Sequence, residues 1–374
     1  MPNQEYGRLM TRTLPGAESA YDAIERVAEA GLPSQELLEE VARRIERVVP
    51  SDGYFIGASD PGTSLIIGAG VVRDLPHDQC TPTWDYEFRV PDYMKFRDIT
   101  ASGRSVADLH EETGGRPDRS ARWREYGTAT GFRSEVRATF NIGPSTWGVA
   151  QFDRLGDSPR FSDDEKAWLD RIAPVVARAL RQAMIAQPAP SPVVRGPGIL
   201  VLDPEGRAVS ATSEAAAWLD EIESTLARDT RGALPVPVEA NAYASQVRAS
   251  MDASEDRVPR ARLRTSTGVW LLMHGSLLQG TENLAVVIEP AKGGDVAPLI
   301  IEAYGLTQRE LDVTRAIARG LGTAEIAEHL FVSQHTVRDH VKSVFEKVGV
   351  SSRGELVAKV FADHYSPILT EMSD

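Results

Sequence analysis

The C-terminal part of the chain contains four helix starts and stops in close succession, and this pattern restricts the fold more than any other feature. Thr307 and Glu310 form a capping box, in which hydroxyl and carboxylate satisfy free backbone amides at a helix start. Gly320 and Gly349 follow where glycine favours a helix end. We therefore predict an all-α unit within residues 300–366. Its helices span 307–320, 324–330 capped by Thr323, 334–348 capped by Ser333, and a stretch begun by Ser351 or Ser352.

The second and third of these helices, joined by Phe331 and Val332, have the lengths of a helix-turn-helix unit. In the third helix the apolar positions recur at helical spacing and are predicted to face inward: Val337, Val341, Val344 and Phe345. The opposite face carries His335, Arg338, Asp339, Lys342 and Glu346. Arginine and lysine can reach guanine edges and phosphates. The spacing alone fits a DNA-reading unit and also a structural four-helix unit with a solvated charged face.

Short phrases along this unit resemble the LuxR/FixJ-type DNA-binding domain. They are Leu306-Thr-Gln-Arg-Glu310, Ala318-Arg-Gly-Leu321, Glu325-Ile-Ala327, Val332-Ser333, Thr336-Val337, His340 and Glu346-Lys-Val-Gly-Val-Ser-Ser-Arg353. The resemblance implies that the third helix enters the major groove of double-stranded DNA. It implies base contacts from Arg338, Asp339 and Lys342, and phosphate contacts from Ser333, Thr336 and Lys347. It also implies a structural role for Glu310.

Two positions depart from the family pattern. Ala324 stands where a lysine often precedes the glutamate of the second helix, which removes one expected phosphate contact. Asp339 is acidic where many relatives carry an apolar or basic residue. It can accept a hydrogen bond from a cytosine amino group, or pair with Arg338 or Lys342 and orient that cation. We favour the orienting role.

The charge of the chain is unusual for a DNA-binding protein. The formal net charge is −13 at pH 7, whereas nucleic-acid binding normally requires a basic surface. Between Leu306 and Val350 six basic residues meet six acidic ones. This balance predicts weak binding by a single copy, dependence on the upstream domains for pairing, and little binding to arbitrary sequence.

The region 33–186 alternates helical and strand-like patterns. Apolar residues recur at helical spacing from Leu37 to Val49 and from Trp168 to Met184. Ser162 and Glu165 form a capping box before the second stripe, and Pro174 is expected to kink or divide that helix. Four strand-like runs lie between the stripes: Tyr54–Ala58, Leu65–Val72, Arg137–Ile142 and Thr146–Phe152. With the phrases Asp92-Tyr-Met-Lys-Phe-Arg-Asp98 and Phe161-Ser-Asp-Asp-Glu165, this layout resembles a GAF-type sensory domain, which implies an α/β fold.

A Pro-rich linker is predicted at 187–197, where four prolines and two glycines lie close together between Gln187 and Gly198. The region 198–293 begins with a strand that ends in Asp203-Pro-Glu-Gly206, continues with a helix around Ser213–Leu219, and ends with strands Val269–Met273 and Leu284–Ile288. It resembles a shortened PAS-type fold. Residues 1–32 are assigned to an N-terminal helical extension and 367–374 to a tail. The predicted fold class is multidomain α+β, in a domain order that resembles actinobacterial regulators.

Thirteen of the 25 aromatic residues fall between Tyr54 and Phe152. Aromatic walls with a few polar groups are typical of small-molecule pockets, and aromatic residues are equally typical of a plain hydrophobic core. The candidate pocket residues are Tyr54, Ile56, Trp84, Tyr86, Phe88, Tyr93, Phe96, Trp123, Tyr126 and Phe132.

The sequence offers little support for catalysis, metal binding or membrane insertion. No apolar run approaches the ~18 residues that span a bilayer, and Met1–Ala20 lacks the pattern of a signal peptide. The single cysteine, Cys80, excludes internal disulfides and fits a reducing cytoplasm; His77 lies three residues before it, without the further ligands that a metal site needs. Cys80 is interpreted as an inert thiol, with a redox switch as the alternative. No catalytic constellation is evident, so we predict a non-enzymatic protein without a cofactor.

These features together predict a cytoplasmic one-component transcription regulator. A homodimer is expected, because one recognition helix reads only a few base pairs. The stripe from Trp168 to Met184 is the candidate dimer contact, with packing against its own strands as the alternative. A small molecule in the GAF-like domain and RNA polymerase are further candidate partners. The competing hypotheses are a response-regulator-like protein, a GAF-like enzyme, and a sensory or interaction protein whose helix-turn-helix does not bind DNA.

Overall fold

The computed structural model describes residues 14–75, 80–127, 131–186, 195–222, 228–253 and 259–362. The start of the predicted N-terminal extension (1–13), His77, the centre of the predicted linker (187–194) and the predicted tail lie outside the described residues.

The N-terminal unit is a five-stranded antiparallel sheet with helices on both faces. Its strand order is β2-β1-β5-β4-β3. The strands are β1 (Gly53–Ser59), β2 (Ile66–Arg73), β3 (Val106–Asp108), β4 (Phe132–Ile142) and β5 (Ser145–Leu155). The helices are α1 (Ala17–Glu29), α2 (Ser34–Val48), α3 (Cys80–Phe88), α4 (Phe96–Ala101), α5 (Leu109–Glu112) and α6 (Asp163–Ala186). A 3-10 turn at Pro117–Arg119 and a π turn at Trp123–Gly127 precede β4.

Alternation along the strands divides this sheet into two faces with different chemistry. Even-numbered residues of β1, such as Tyr54 and Ile56, join the apolar core beneath α1, α2 and α6. On the other face, Phe55 pairs with Gln151 of β5, which pairs in turn with Arg137 of β4. Polar and aromatic side chains therefore lie side by side across three strands on that second face.

The apolar stripe of α6 packs within its own chain. Trp168, Ile172, Val176, Leu180 and Met184 are all buried in the core shared with α1, α2 and the sheet. The dimer contact expected for this stripe is therefore wrong, and the alternative, packing onto its own strands, is what the structure shows. Helix α6 also continues through Pro174, whose ring is solvent-exposed, so the proline does not divide the helix.

The middle unit has a second five-stranded antiparallel sheet, of order β10-β11-β12-β6-β7. The strands of this sheet are β6 (Gly198–Leu202), β7 (Ala208–Ala211), β10 (Arg260–Arg264), β11 (Trp270–Leu277) and β12 (Leu284–Pro290). Two short strands, β8 (Arg228–Asp229) and β9 (Val236–Pro237), form a separate two-stranded sheet. Its helices are α7 (Ser213–Glu221) and α8 (Val238–Asp252). The predicted strands and short helix are present, whereas α8 was not predicted. The PAS-type assignment stays a prediction.

Helix α9 (Gly293–Ala303) connects the middle unit to the C-terminal unit and packs on the N-terminal one. Its Val296, Leu299, Ile300 and Ala303 belong to the same buried core as α6. The Ser145 hydroxyl donates to the Glu302 carboxylate and extends this contact.

The C-terminal unit is all-α. It comprises α10 (Gln308–Ala318), α11 (Thr323–Leu330), α12 (Gln334–Val348), α13 (Arg353–Val357) and a π turn at Ala358–Ala362. The caps predicted at Thr307, Ser333 and Ser352 are confirmed, and Gly349 ends α12 in the left-handed region at φ 68°. The cap predicted at Thr323 is wrong. Gly322 precedes that helix instead, its amide bound by Glu325, and the Thr323 hydroxyl accepts from Arg353.

Together, the antiparallel α/β region and the C-terminal helical unit confirm the predicted mixed fold class.

Candidate functional site: a buried cavity and an exposed helix

A cavity of about 90 Å³ lies on the polar face of the N-terminal sheet. Six aromatic side chains line it: Phe55, Trp84, Phe96, Trp123, Tyr126 and Phe132. Aliphatic side chains add to the wall: Ile66, Val72, Leu75 and Val238. Val238 is the first residue of α8, so the middle unit closes one side of a cavity built mainly by the N-terminal unit.

One wall of the cavity is polar although it is buried. Arg137 is 2% exposed and uses all three of its nitrogens. Nε donates to Glu135 at 2.9 Å, Nη1 to Glu87 at 2.9 Å, and Nη2 to Gln151 Oε1 at 3.0 Å. Arg122 donates from Nη2 to the same Glu135 oxygen at 2.8 Å. Two guanidinium groups therefore hold two buried carboxylates in fixed positions at the cavity.

Burial and charge set the protonation of these acids in opposite directions. Burial raises the pKa of Glu135, but the charges of Arg122 and Arg137 outweigh it and hold the pKa below its ordinary value. Burial raises the pKa of Glu87. Burial, together with the charge of Glu135, raises the pKa of Asp153 well above its ordinary range. The arginines thus favour an ionised Glu135, while the deeper Asp153 favours its protonated form.

Five of the predicted pocket residues line this cavity: Trp84, Phe96, Trp123, Tyr126 and Phe132. Phe55 lines it without having been predicted, and the other predicted residues lie elsewhere. Tyr54, like its neighbour Ile56, faces the opposite core. Tyr86 packs edge-on against Tyr126 at 5.8 Å, and Phe88 stacks on Trp84 at 6.2 Å. Tyr93 lies beneath the Arg119 guanidinium. The polar wall was missed, because nothing local in the sequence distinguishes a buried arginine from an exposed one. The available signal was Glu135 and Arg137 at period-two spacing within a strand.

The second candidate site is the outer face of α12. Arg338, Asp339 and Lys342 are exposed, while Val337, Val344 and Val348 are buried in the core of the unit. The Ser333 hydroxyl accepts from the Thr336 amide at 3.1 Å and lies 2.9 Å from the Thr336 hydroxyl. Both hydroxyls therefore lie at the N-terminal end of the helix, where free amides favour an anion.

Asp339 pairs with neither cation proposed for it. Its carboxylate lies 2.9 Å from Nδ1 of His335, one turn earlier. Lys342 lies 3.9 Å from Glu346, one turn later. The idea that Asp339 orients Arg338 or Lys342 is therefore wrong for the structure described. Within the described ranges Arg338 makes no ion pair and is available to a ligand.

Lys347 contacts the interior of the unit. Its Nζ donates to Glu310 Oε2 at 2.6 Å and to the Gly305 carbonyl at 3.3 Å. The same glutamate accepts from the Ser343 hydroxyl and from the Thr307 amide, each at 2.6 Å. Glu310 thus joins α10 to α12, and the Lys347 ammonium is already paired with Glu310.

Residues 305–360 match the family model described as bacterial regulatory proteins, luxR family. The C-terminal unit is a LuxR-type helix-turn-helix domain. It is 48% identical over 52 residues to the oxygen regulatory protein NreC of Staphylococcus aureus, a stretch that covers 14% of this chain and 24% of NreC. It is 46% identical over 52 residues to an HTH-type transcriptional regulator of Mycobacterium bovis, covering 14% of this chain and 6% of that protein. The chain thus spans a quarter or less of these relatives.

Solved GAF domains are similar over the N-terminal part of the chain. One, from a phosphoenolpyruvate-protein phosphotransferase of Coxiella burnetii, has a TM-score of 0.34 and 13% identity, and covers 46% of this chain and 95% of its own. The phycocyanobilin-bound GAF domain of a cyanobacterial phytochrome has a TM-score of 0.32 and 19% identity, and covers 45% and 94%.

Glu310 gives the LuxR-type domain a predictable response to acid. Burial raises its pKa, but hydrogen bonds from Lys347, Ser343 and Thr307 outweigh this and lower the pKa to about 2. A carboxyl whose pKa falls on folding stabilises the fold above its unfolded pKa, and this contribution is lost as the pH falls toward the folded value. We expect the stability of the domain to decline between pH 4.5 and 2 for this reason.

Glu310→Gln is expected to cost about 1–3 kcal/mol at neutral pH and to flatten that acid response, because one charged acceptor is lost. Hydrogen exchange of the α10 and α12 amides in the full chain measures it. Glu328→Gln, an exposed position on α11, removes the same charge and is expected to change little. Equal effects of the two variants would contradict a bridging role for Glu310.

Within the described ranges, no group of three or more His, Cys, Asp or Glu side chains could hold a metal ion, and no helix is long and apolar enough to cross a membrane.

Proposed function

We propose that this chain is a one-component transcriptional regulator that binds double-stranded DNA through α12 and receives a small-molecule signal in the N-terminal cavity. The observation that carries the DNA-binding part is the exposed face of α12 in a domain that matches the LuxR family. The regulator names of its relatives support a non-enzymatic role.

Base contacts are assigned to Arg338, Asp339 and Lys342, and phosphate contacts to Ser333 and Thr336. These side chains are exposed or half-exposed and lie between the N-cap and the third turn of α12. Lys347 takes part only by exchanging Glu310 for phosphate, so its contribution to affinity is the smallest of the set. Asp339 is assigned to accept a hydrogen bond from a cytosine amino group. Its contact with His335 must break for this to happen.

Signal reception is supported by the position of the cavity between two units. Helix α3, which contributes Trp84 and Glu87 to the wall, also contacts α8 of the middle unit, where Ser245 donates to Asp85 at 2.6 Å. The middle unit continues through α9 into the LuxR-type domain, and α9 packs on α6. A ligand that moves α3 therefore acts on α8 of the middle unit. The middle unit is joined through α9 to the domain that contains the DNA-binding helix.

A homodimer is proposed because a single recognition helix gives too little sequence specificity. With the α6 stripe buried, the contact must lie elsewhere on the surface. Sedimentation of the full chain with and without its DNA site tests this, and a monomer in both conditions would contradict it.

Arg338→Ala is expected to lower affinity for the selected site by about 1–3 kcal/mol and to relax discrimination at one base pair, because a bidentate guanine contact is lost. A mobility shift with the site and its single-base variants measures this. Arg315→Ala, an exposed arginine on α10, is the charge-matched control. Equal losses on the selected site and on random DNA would mean that Arg338 contacts only phosphate.

The overall proposal is tested by selection of fragmented genomic DNA of the source organism on the full chain. We expect enriched fragments to share two half-sites about one helical turn, or a multiple of it, apart, and Arg338→Ala to abolish the enrichment. No enrichment over random DNA would favour the alternative, a sensory or interaction protein that does not bind DNA.

A further inference from the structure

The cavity contains hydrogen-bond donors for which the described residues offer no acceptor. Arg122 is 5% exposed; its Nη2 binds Glu135, while its Nη1 is buried without a partner in the described part of the chain. Trp84 Nε1 is also buried without a partner in the described part of the chain. Both Arg122 and Trp84 line the cavity. A buried donor without a partner destabilises the fold, because it has lost its hydrogen bond to water. A ligand that presents an acceptor removes this penalty.

The charged side chains that line the cavity are already balanced. Two carboxylates, Glu87 and Glu135, pair with two guanidinium groups, Arg122 and Arg137. A ligand carboxylate would therefore enter as an unmatched anion next to Glu135, and an unmatched buried charge is costly. A neutral acceptor such as a carbonyl oxygen satisfies the free N–H groups without this penalty.

The shape of the remaining wall completes the description of the ligand. Six aromatic rings and four aliphatic side chains surround a volume of about 90 Å³, which leaves room for one flat ring and no more. We propose that the cavity binds an uncharged one-ring compound that carries a carbonyl acceptor, a pyrone lactone or aryl aldehyde, with the carbonyl at Arg122 Nη1. This inference rests on the proposed sensory function of the same cavity.

Three one-ring probes test the ligand class on the full chain: 2-pyrone, benzoate and toluene. Binding is followed by titration calorimetry and by tryptophan fluorescence, since Trp84 and Trp123 line the cavity. We expect 2-pyrone to bind about tenfold tighter than toluene, which has the same shape but no acceptor, the value of one hydrogen bond to a charged donor. We expect benzoate to bind more weakly than 2-pyrone. Equal binding of 2-pyrone and toluene, tighter binding of benzoate, or no binding of any probe would overturn the proposal.

Arg122→Met locates the contact. The variant is expected to lose the preference for 2-pyrone and to keep toluene binding, which also reports an intact cavity. Arg133→Met, exposed on the same unit, should leave both unchanged. If Arg122→Met does not fold, the comparison of the three probes on the unaltered chain still decides. Enrichment of genomic DNA by a chain that binds none of the probes would overturn the ligand class and leave the DNA-binding function in place.

Discussion

Replacing Arg137 with methionine is expected to destabilise the N-terminal unit by about 3–5 kcal/mol, the typical cost of removing one partner from a buried ion pair. Arg137 donates to Glu87, Glu135, Gln151 and the Met94 carbonyl from a position almost sealed from solvent. Its loss leaves Glu87 with the Phe96 amide at 2.8 Å, and Glu135 with Arg122. The remaining buried negative charge is poorly compensated.

Native-state hydrogen exchange of the β4 and β5 amides measures this loss in the full chain, where several units unfold separately and one global transition is not expected. Arg133→Met is the control, since Arg133 lies on β4 but is exposed, and its effect should stay within about 0.5 kcal/mol. Adding Glu87→Gln to Arg137→Met should recover part of the lost stability, because it removes a buried carboxylate that no longer has its guanidinium partner. An Arg137→Met chain as stable as the unaltered one would show that the polar wall does not hold the sheet together.

The C-terminal unit could be predicted closely from the sequence because its signals are local. Capping side chains lie within three residues of the amides that they bind, so Thr307, Ser333 and Ser352 mark helix starts correctly. The error at Thr323 has a local cause and a long-range one. Gly322 and Thr323 both suit a helix start, and the Thr323 hydroxyl accepts a hydrogen bond from Arg353, thirty residues away in sequence.

The cavity was predictable only in outline, because its polar wall depends on which strands are neighbours. Aromatic enrichment between Tyr54 and Phe152 indicates the correct region. Whether Phe55 or Tyr54 faces the cavity depends on strand register, and a shift of one residue exchanges the two faces. The network joins Glu87 on α3 to Arg137 on β4, fifty residues apart. The dimer hypothesis for α6 failed for a related reason, since an amphipathic stripe does not reveal which surface covers it.

Replacing Arg262 with methionine is expected to uncouple the N-terminal and middle units. Arg262 on β10 binds Asp60, at the turn after β1, through Nε at 2.6 Å and Nη2 at 2.8 Å. Asp60 is fully buried, and Arg262 also donates to the Asp295 carbonyl in the first turn of α9. Without the guanidinium, Asp60 is left unpaired at a cost of about 3–5 kcal/mol. The cheaper outcome is separation of the two units, which returns Asp60 to water.

Faster hydrogen exchange at the contact between α3 and α8 would report this separation, and Arg260→Met is the matched control. Arg260 lies on the same strand but is exposed. Its guanidinium lies 3.4 Å from the Asp295 carboxylate, and such a surface ion pair contributes at most about 1 kcal/mol. If the cavity signals through this interface, Arg262→Met should keep 2-pyrone affinity within about threefold while the effect of 2-pyrone on DNA affinity disappears. Binding energy in one unit reaches another only through contacts that differ between two states. A full 2-pyrone effect on DNA binding in the Arg262→Met chain would mean that the signal travels through α6 and α9 instead, since those helices share a core that does not include Arg262.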